Sequence, residues 1–209
     1  MSVFLASIDG PDFSGKTTIA NLLVEELRGR LKGWQAKRTE VPSHLVTGSF
    51  TTIIRNSSDR MSDRVFALIY AADHLHHSES FLENLRKKEG KFLVIQERSL
   101  LTSYIYQGLI GGTDMKWLRE LNRFDRNIPD LQIIVRVPLE TLLERMKVER
   151  GGYDRFEVPE HLRKQVTAYY ALPKEMVEEF NVKYVDGNAE PKLVAERCLA
   201  LIEKAVGGK

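Results

Sequence analysis

The 209-residue chain is poor in several features that would tie it to large classes of protein. Its single cysteine, Cys198, excludes an internal disulfide and suits a reducing cytoplasm. No apolar run approaches the ~20 residues of a membrane-spanning helix. Neither sign of charge dominates: 31 Lys and Arg face 29 Asp and Glu, a net charge of +2 that gives no reason to expect a nucleic-acid partner. Internal repeats and low-complexity segments are missing, and the length suits one domain with a good core. The chain enters an apolar run by Val3, which leaves no room for a signal peptide and again points to the cytoplasm. Two nucleotide-protein signatures are also missing. There is no Asn-Lys-x-Asp guanine reader and no Leu-Ser-Gly-Gly, and the only Asp-x-x-Gly, Asp12 to Gly15, lies inside another motif. GTPase switches and transporter-type ATPases are thereby set aside.

That other motif is Gly10-Pro11-Asp12-Phe13-Ser14-Gly15-Lys16-Thr17, a match to G-x-x-x-x-G-K-[ST]. Its context is the required one. Val3-Phe4-Leu5-Ala6-Ser7-Ile8 before it reads as a buried parallel strand, and Ile19, Leu22, Leu23 and Leu27 after it recur at helical spacing. Gly10 and Gly15 allow a tight turn whose N–H groups, with those of Ser14 and Thr18, point at phosphate oxygens, and the helix aims its positive end at the same anion. Lys16 is placed to bridge the terminal phosphates of ATP, and the Thr17 hydroxyl to ligate Mg²⁺.

Beyond the loop, strands and helices alternate. Further strands are expected at 34–40 (partly exposed), 91–96, 131–137 and 182–186. Helices are expected at 44–55, at 60–89 with Met61, Val65, Leu68, Ile69, Ala72 and Leu75 as the apolar stripe, from Pro138 to about 150, after Pro159, and from Pro191. This order predicts an α/β fold, a parallel five-stranded sheet with helices on both faces, and ligands beyond the carboxyl ends of the strands, where Gly15, Glu40 and Glu97 fall. His74, His76 and His77 invite a metal reading, but three such positions do not converge on a helix.

Over nearly its whole length the chain resembles the thymidylate kinase family. The resemblance rests on the residues from Ile8 to Thr18 with a carboxylate at Asp12, on Leu68-Ile69-Tyr70-Ala71-Ala72-Asp73, and on Val94 to Ser99 followed by Ser103, Tyr106, Gln107 and Gly108. Pro129-Asp130-Leu131 through Leu143-Glu144-Arg145 and the stretch from Arg150 to Glu157 extend it. It implies the P-loop nucleotide kinase fold with a short lid at about 150–158. It also implies ATP- and Mg²⁺-dependent phosphorylation of dTMP to dTDP by a homodimer that pairs through the helices flanking the second strand and the long third helix. In that setting Arg98 and Arg55 clamp the acceptor phosphate, Asp12 accepts from the sugar 3′-hydroxyl, and Tyr70 stacks on the base with Ser103, Tyr106 and Gln107 along its edge. Glu97 joins Thr17 at the metal, and Arg155 or Arg150 supplies a catalytic cation from the lid. No general base is needed, because the acceptor is a phosphate oxygen already ionised near neutral pH.

Three departures from the family pattern stand out. The second strand ends in Thr39-Glu40-Val41-Pro42-Ser43 where the family usually has R-E-P-G-G-T, and Glu97-Arg98-Ser99 replaces D-R-Y. His74 stands where a base-reading arginine is expected. A neutral imidazole donates through one nitrogen and accepts through the other, so base selection is expected to weaken, with thymine preference recovering as pH falls toward about 6. Glu-Arg-Ser is also a signature of deoxynucleoside kinases, in which Glu40 or Glu97 would act as base on a nucleoside hydroxyl. A nucleotide-binding regulatory protein without turnover is the alternative from another class.

Overall fold

In the computed structural model, residues 2–125, 127–148 and 158–207 are described. Five parallel strands, β1 (Ser2–Asp9), β2 (Trp34–Glu40), β3 (Lys91–Glu97), β4 (Leu131–Arg136) and β5 (Val182–Asp186), lie in the order β2-β3-β1-β4-β5. This is the sheet that the alternation of elements predicts. β2 is an edge strand; its first residues alternate between half-buried and exposed, and Arg38, Thr39 and Glu40 are all half-buried. β1, at the centre, has β3 on one side and β4 on the other, so its carboxyl end opens at the point where strand order reverses. Asp130, of the Pro-Asp pair, extends that pairing by accepting the N–H of Leu5 at 2.8 Å.

Helices cover both faces because successive strand residues point to opposite sides. On one face Phe4, Ala6 and Ile8 meet Ile19, Leu23 and Leu27 of α1 (Lys16–Leu27) and Val194, Cys198 and Ile202 of α10 (Pro191–Gly207). On the other, Ile134 joins Leu101, Ile105, Tyr169 and Phe180. Each of these large side chains contributes about 1.5–3 kcal/mol by leaving water. Burial also raises the Cys198 thiol to about 12, so it packs as a small apolar group.

The remaining helices are α2 (Val46–Arg55), α3 (Asp63–His77), α4 (Glu83–Lys87), α5 (Leu100–Ser103), α6 (Met115–Leu121), α7 (Leu139–Val148), α8 (Pro159–Tyr170) and α9 (Lys174–Glu179). The single helix expected over 60–89 is shorter and not uniform. Ser62 caps it by accepting the N–H of Val65, and Lys88 has left helical geometry. Between these ends a wider π-type turn, Ser78–Leu82, shifts the phase so that Leu82 and Leu85 join Phe92 and Val94 on the sheet. A second wide turn, Tyr104–Ile110, continues α5 and carries Tyr106 and Gln107.

Candidate active site

The loop leaving β1 has the geometry that its glycines require. Gly10 sits at φ +149°, and a Cβ there would come within 2.8 Å of the Val135 carbonyl oxygen. Gly15, left-handed at φ 84°, leads into α1. Ser14 Oγ is buried and finds no partner among the described residues, which suits a hydroxyl awaiting a phosphate oxygen. Lys16 is buried beneath the loop, its Nζ 3.2 Å from the Pro11 carbonyl oxygen and 3.6 Å from Asp12 Oδ1. Burial, and then the charge of Arg98, lowers its pKa.

Two carboxylates meet the loop differently. Glu97, at the end of β3, accepts from Thr17 Oγ1 at 2.8 Å and from Arg38 at 3.0 Å, and the same arginine donates to Glu40 at 2.8 Å. Thr17 and Glu97 thus form a pair of hard oxygen donors beside the loop, the kind of set that Mg²⁺ shares with substrate phosphates. Asp12 instead accepts from Arg98 at 2.6 Å, from Gln165 at 2.8 Å and from the Tyr106 hydroxyl at 3.2 Å. Burial works to raise the Asp12 pKa, but Arg98 and Lys16 outweigh it and hold the carboxyl well below its usual range. Arg98 is therefore no surface partner of its neighbour Glu97. It adopts a left-handed φ of 64°, sparsely populated for a residue with a Cβ, and that turn carries its side chain to the loop.

Asp12, Arg98 and Tyr106 form part of a pocket whose wall continues through Arg55, Tyr70, His74, Ser103 and Gln107. The structure therefore brings together every acceptor-side residue expected from sequence. Tyr70 is half-buried on that wall instead of lost in the core. Tyr106 lines the same pocket and directs its hydroxyl to Asp12 beside Arg98. His74 is 4% exposed and bonds through Nε2 to Ser103 Oγ at 3.2 Å. His76 and His77 turn away, to Thr47 at 3.0 Å and Thr39 at 2.6 Å. Burial lowers the pKa of His74. The pH-dependent recovery of thymine preference expected toward 6 therefore moves to lower pH, since the ring stays neutral further into acid.

On the other side of the loop, Arg145 donates to the Phe13 carbonyl at 3.0 Å and borders a hollow with Gly15, Thr18, Gly187 and Pro191. The expected lid arginines, Arg150 and Arg155, lie outside the described residues.

Several supporting residues have no sequence signal. Gln165 of α8 holds Asp12 twice, accepting from its backbone N–H at 2.8 Å and donating to its carboxylate. Thr102 and Tyr169 both donate to the buried Asp9 at the end of β1. Asp73 fixes the segment after β2 by accepting from Ser43 N at 2.8 Å and Ser43 Oγ at 2.6 Å. Of these residues Asp9 and Asp73 lie within motifs, and neither motif points to the bonding seen here.

A phosphate loop joined to a second pocket by Asp12 and Arg98 defines a P-loop phosphotransferase that acts on a second small substrate. The comparison with known proteins names the family. The profile of the thymidylate kinase family matches residues 8–197. Probable thymidylate kinases of Pyrococcus abyssi and Caldivirga maquilingensis are 30% and 31% identical to this chain, each over 100% of it and over 100% and 97% of their own lengths. That of Methanocaldococcus jannaschii is 30% identical over 85% of this chain and 84% of its own. The chain belongs to the thymidylate kinase family and is a nucleoside monophosphate kinase.

Proposed function

We propose that this enzyme transfers the γ-phosphoryl group of ATP to dTMP, giving dTDP and ADP for dTTP synthesis. The observation that carries the proposal is the pairing of Arg98 with Asp12 between the phosphate loop and the second pocket. A guanidinium between the loop and the second pocket suits an acceptor phosphate brought up to a donor held on the loop. In this reading Lys16 and the loop N–H groups of Gly10, Ser14, Gly15 and Thr18 hold the donor phosphates. Arg98 and Arg55 hold the acceptor phosphate, and Asp12 receives the sugar hydroxyl. Thr17 and Glu97 hold Mg²⁺, which when bound neutralises charge on the donor phosphates. Tyr70 lies against the base, and Arg145 borders the donor-base hollow. Glu40 and Glu97 are both engaged by Arg38, an ion pairing that competes with a role as base for a nucleoside hydroxyl.

The test is coupled turnover with ATP and dTMP, thymidine, or no acceptor. Rapid ADP release with dTMP alone is expected. Turnover with thymidine instead would identify a deoxynucleoside kinase, and none with either would identify a regulatory nucleotide binder.

The proposal includes a cytoplasmic homodimer. Val46, Phe50 and Ile53 recur along one face of α2 and are 75%, 51% and 66% exposed, and Leu68 on the adjacent α3 is 51% exposed. An apolar stripe of this kind on two packed helices suits a self-complementary two-fold contact. Sedimentation at micromolar concentration should give twice the chain mass, and Phe50→Glu should reduce it to the monomer. A wild-type monomer would remove the dimer from the proposal.

A further inference from the structure

His74 and Ser103 face the acceptor pocket together, and their polarity is set from behind. His74 Nδ1 lies 3.8 Å from Asp125 Oδ2, and both side chains are almost fully buried, at 4% and 5% exposure. Asp125 is itself fixed, because its other oxygen accepts from the backbone and the side-chain amide of Asn127, each at 3.1 Å. Asp73, the other carboxylate near the ring, is occupied by Ser43 and Thr47. A buried anion on one side of a neutral imidazole draws the proton to the nitrogen facing it, and here that nitrogen is Nδ1. Nε2 is then an acceptor, so the hydrogen bond to Ser103 uses the only proton the serine hydroxyl has. What Ser103 turns toward a base is lone pairs alone. Gln107 Oε1, buried on the same wall, also has no donor among the described residues.

We propose that Asp125 is a positioning residue that, through His74, fixes Ser103 as a hydrogen-bond acceptor, so that the pocket takes the 4-amino group of a cytosine deoxynucleotide and dCMP is a second phosphoryl acceptor. This rests on the dTMP kinase reading of the same pocket. Thymine offers a 4-oxo acceptor where the pair offers no donor, whereas cytosine offers an N–H. The Gln107 amide can turn either end to the ring, so thymine is still bound. The two pyrimidines are then separated by about tenfold or less in kcat/KM, the scale of one neutral hydrogen bond.

The experiment measures kcat/KM for dTMP, dUMP and dCMP in wild type, Asp125→Asn and His74→Arg, together with ¹⁵N spectra of the imidazoles. Wild type should phosphorylate dCMP within about tenfold of dTMP, with His74 protonated on Nδ1. Asp125→Asn can donate to Nδ1, so the proton should move to Nε2 and the dCMP-to-dTMP ratio should fall about tenfold. His74→Arg, a permanent donor, should lower that ratio at least as much. A wild-type His74 protonated on Nε2 overturns the proposal whatever the variants do. So does brisk dTMP turnover with dCMP inert. Loss of both substrates in wild type would instead overturn the kinase reading beneath it.

Discussion

A folded Lys16→Ala protein is expected to turn over at least about 10²–10³ times more slowly than wild type, the range seen when a preorganised charge stabiliser is removed. Lys16 opens α1 with its charge buried beneath the loop. Phosphoryl transfer gives a protein little covalent work, so rate comes from holding and neutralising the phosphates. The fold should survive, because Lys16 is no part of the apolar cluster behind the loop and Asp12 keeps Arg98 and Gln165 as partners. Thr17→Ala should fall with it and need more Mg²⁺, since its hydroxyl, bonded to Glu97, belongs to the pair proposed to hold the metal. Circular dichroism and urea midpoints establish folding, and the ADP-coupled assay gives the rate. Near-normal turnover in a folded Lys16→Ala protein would remove the phosphate-loop assignment.

Much of this architecture was legible because the signals are local. The β1–loop–α1 unit combines a period change with two glycines at positions that accept little else, and β5 and α10 follow from a short apolar run and a proline-led helix. The break at Ser78–Leu82 was not legible. Apolar periodicity continues through it, and the phase shift shows only once Leu82 and Leu85 have a sheet to meet.

The site divides the same way. Residues in motifs, from Asp12 to Gln107, were found and do converge, but their bonding was not foreseen. Glu97 and Arg98 are adjacent in sequence, yet the left-handed turn at Arg98 sends them to different partners. Gln165 lies 153 residues from the Asp12 it secures, and Asp125 serves His74 from a loop with no periodicity at all. Such pairings are set by topology, and a single sequence carries no local mark of them.

Arg155→Ala is expected to lower turnover by at least about a hundredfold with little change in dTMP binding. Transition-state charge on the transferred phosphoryl group calls for a cation besides Lys16, and an arginine finger is worth about 10³–10⁵ in rate. The loop does not supply one. Its middle position is Phe13, whose side chain packs toward the apolar cluster and whose carbonyl is held by Arg145. Other arginines already have tasks: Arg38 holds Glu40 and Glu97, and Arg98 holds Asp12. The sequence then offers Arg155 and, second to it, Arg150, in the stretch that resembles the family's lid. A finger acts on charge that develops only in the transition state, so kcat should fall while the dTMP KM stays within a few-fold. Arg150→Ala serves as the companion measurement, and an effect confined to the KM for ATP would assign Arg150 to the donor base. If both variants run nearly as fast as wild type, the catalytic cation comes from elsewhere in the chain.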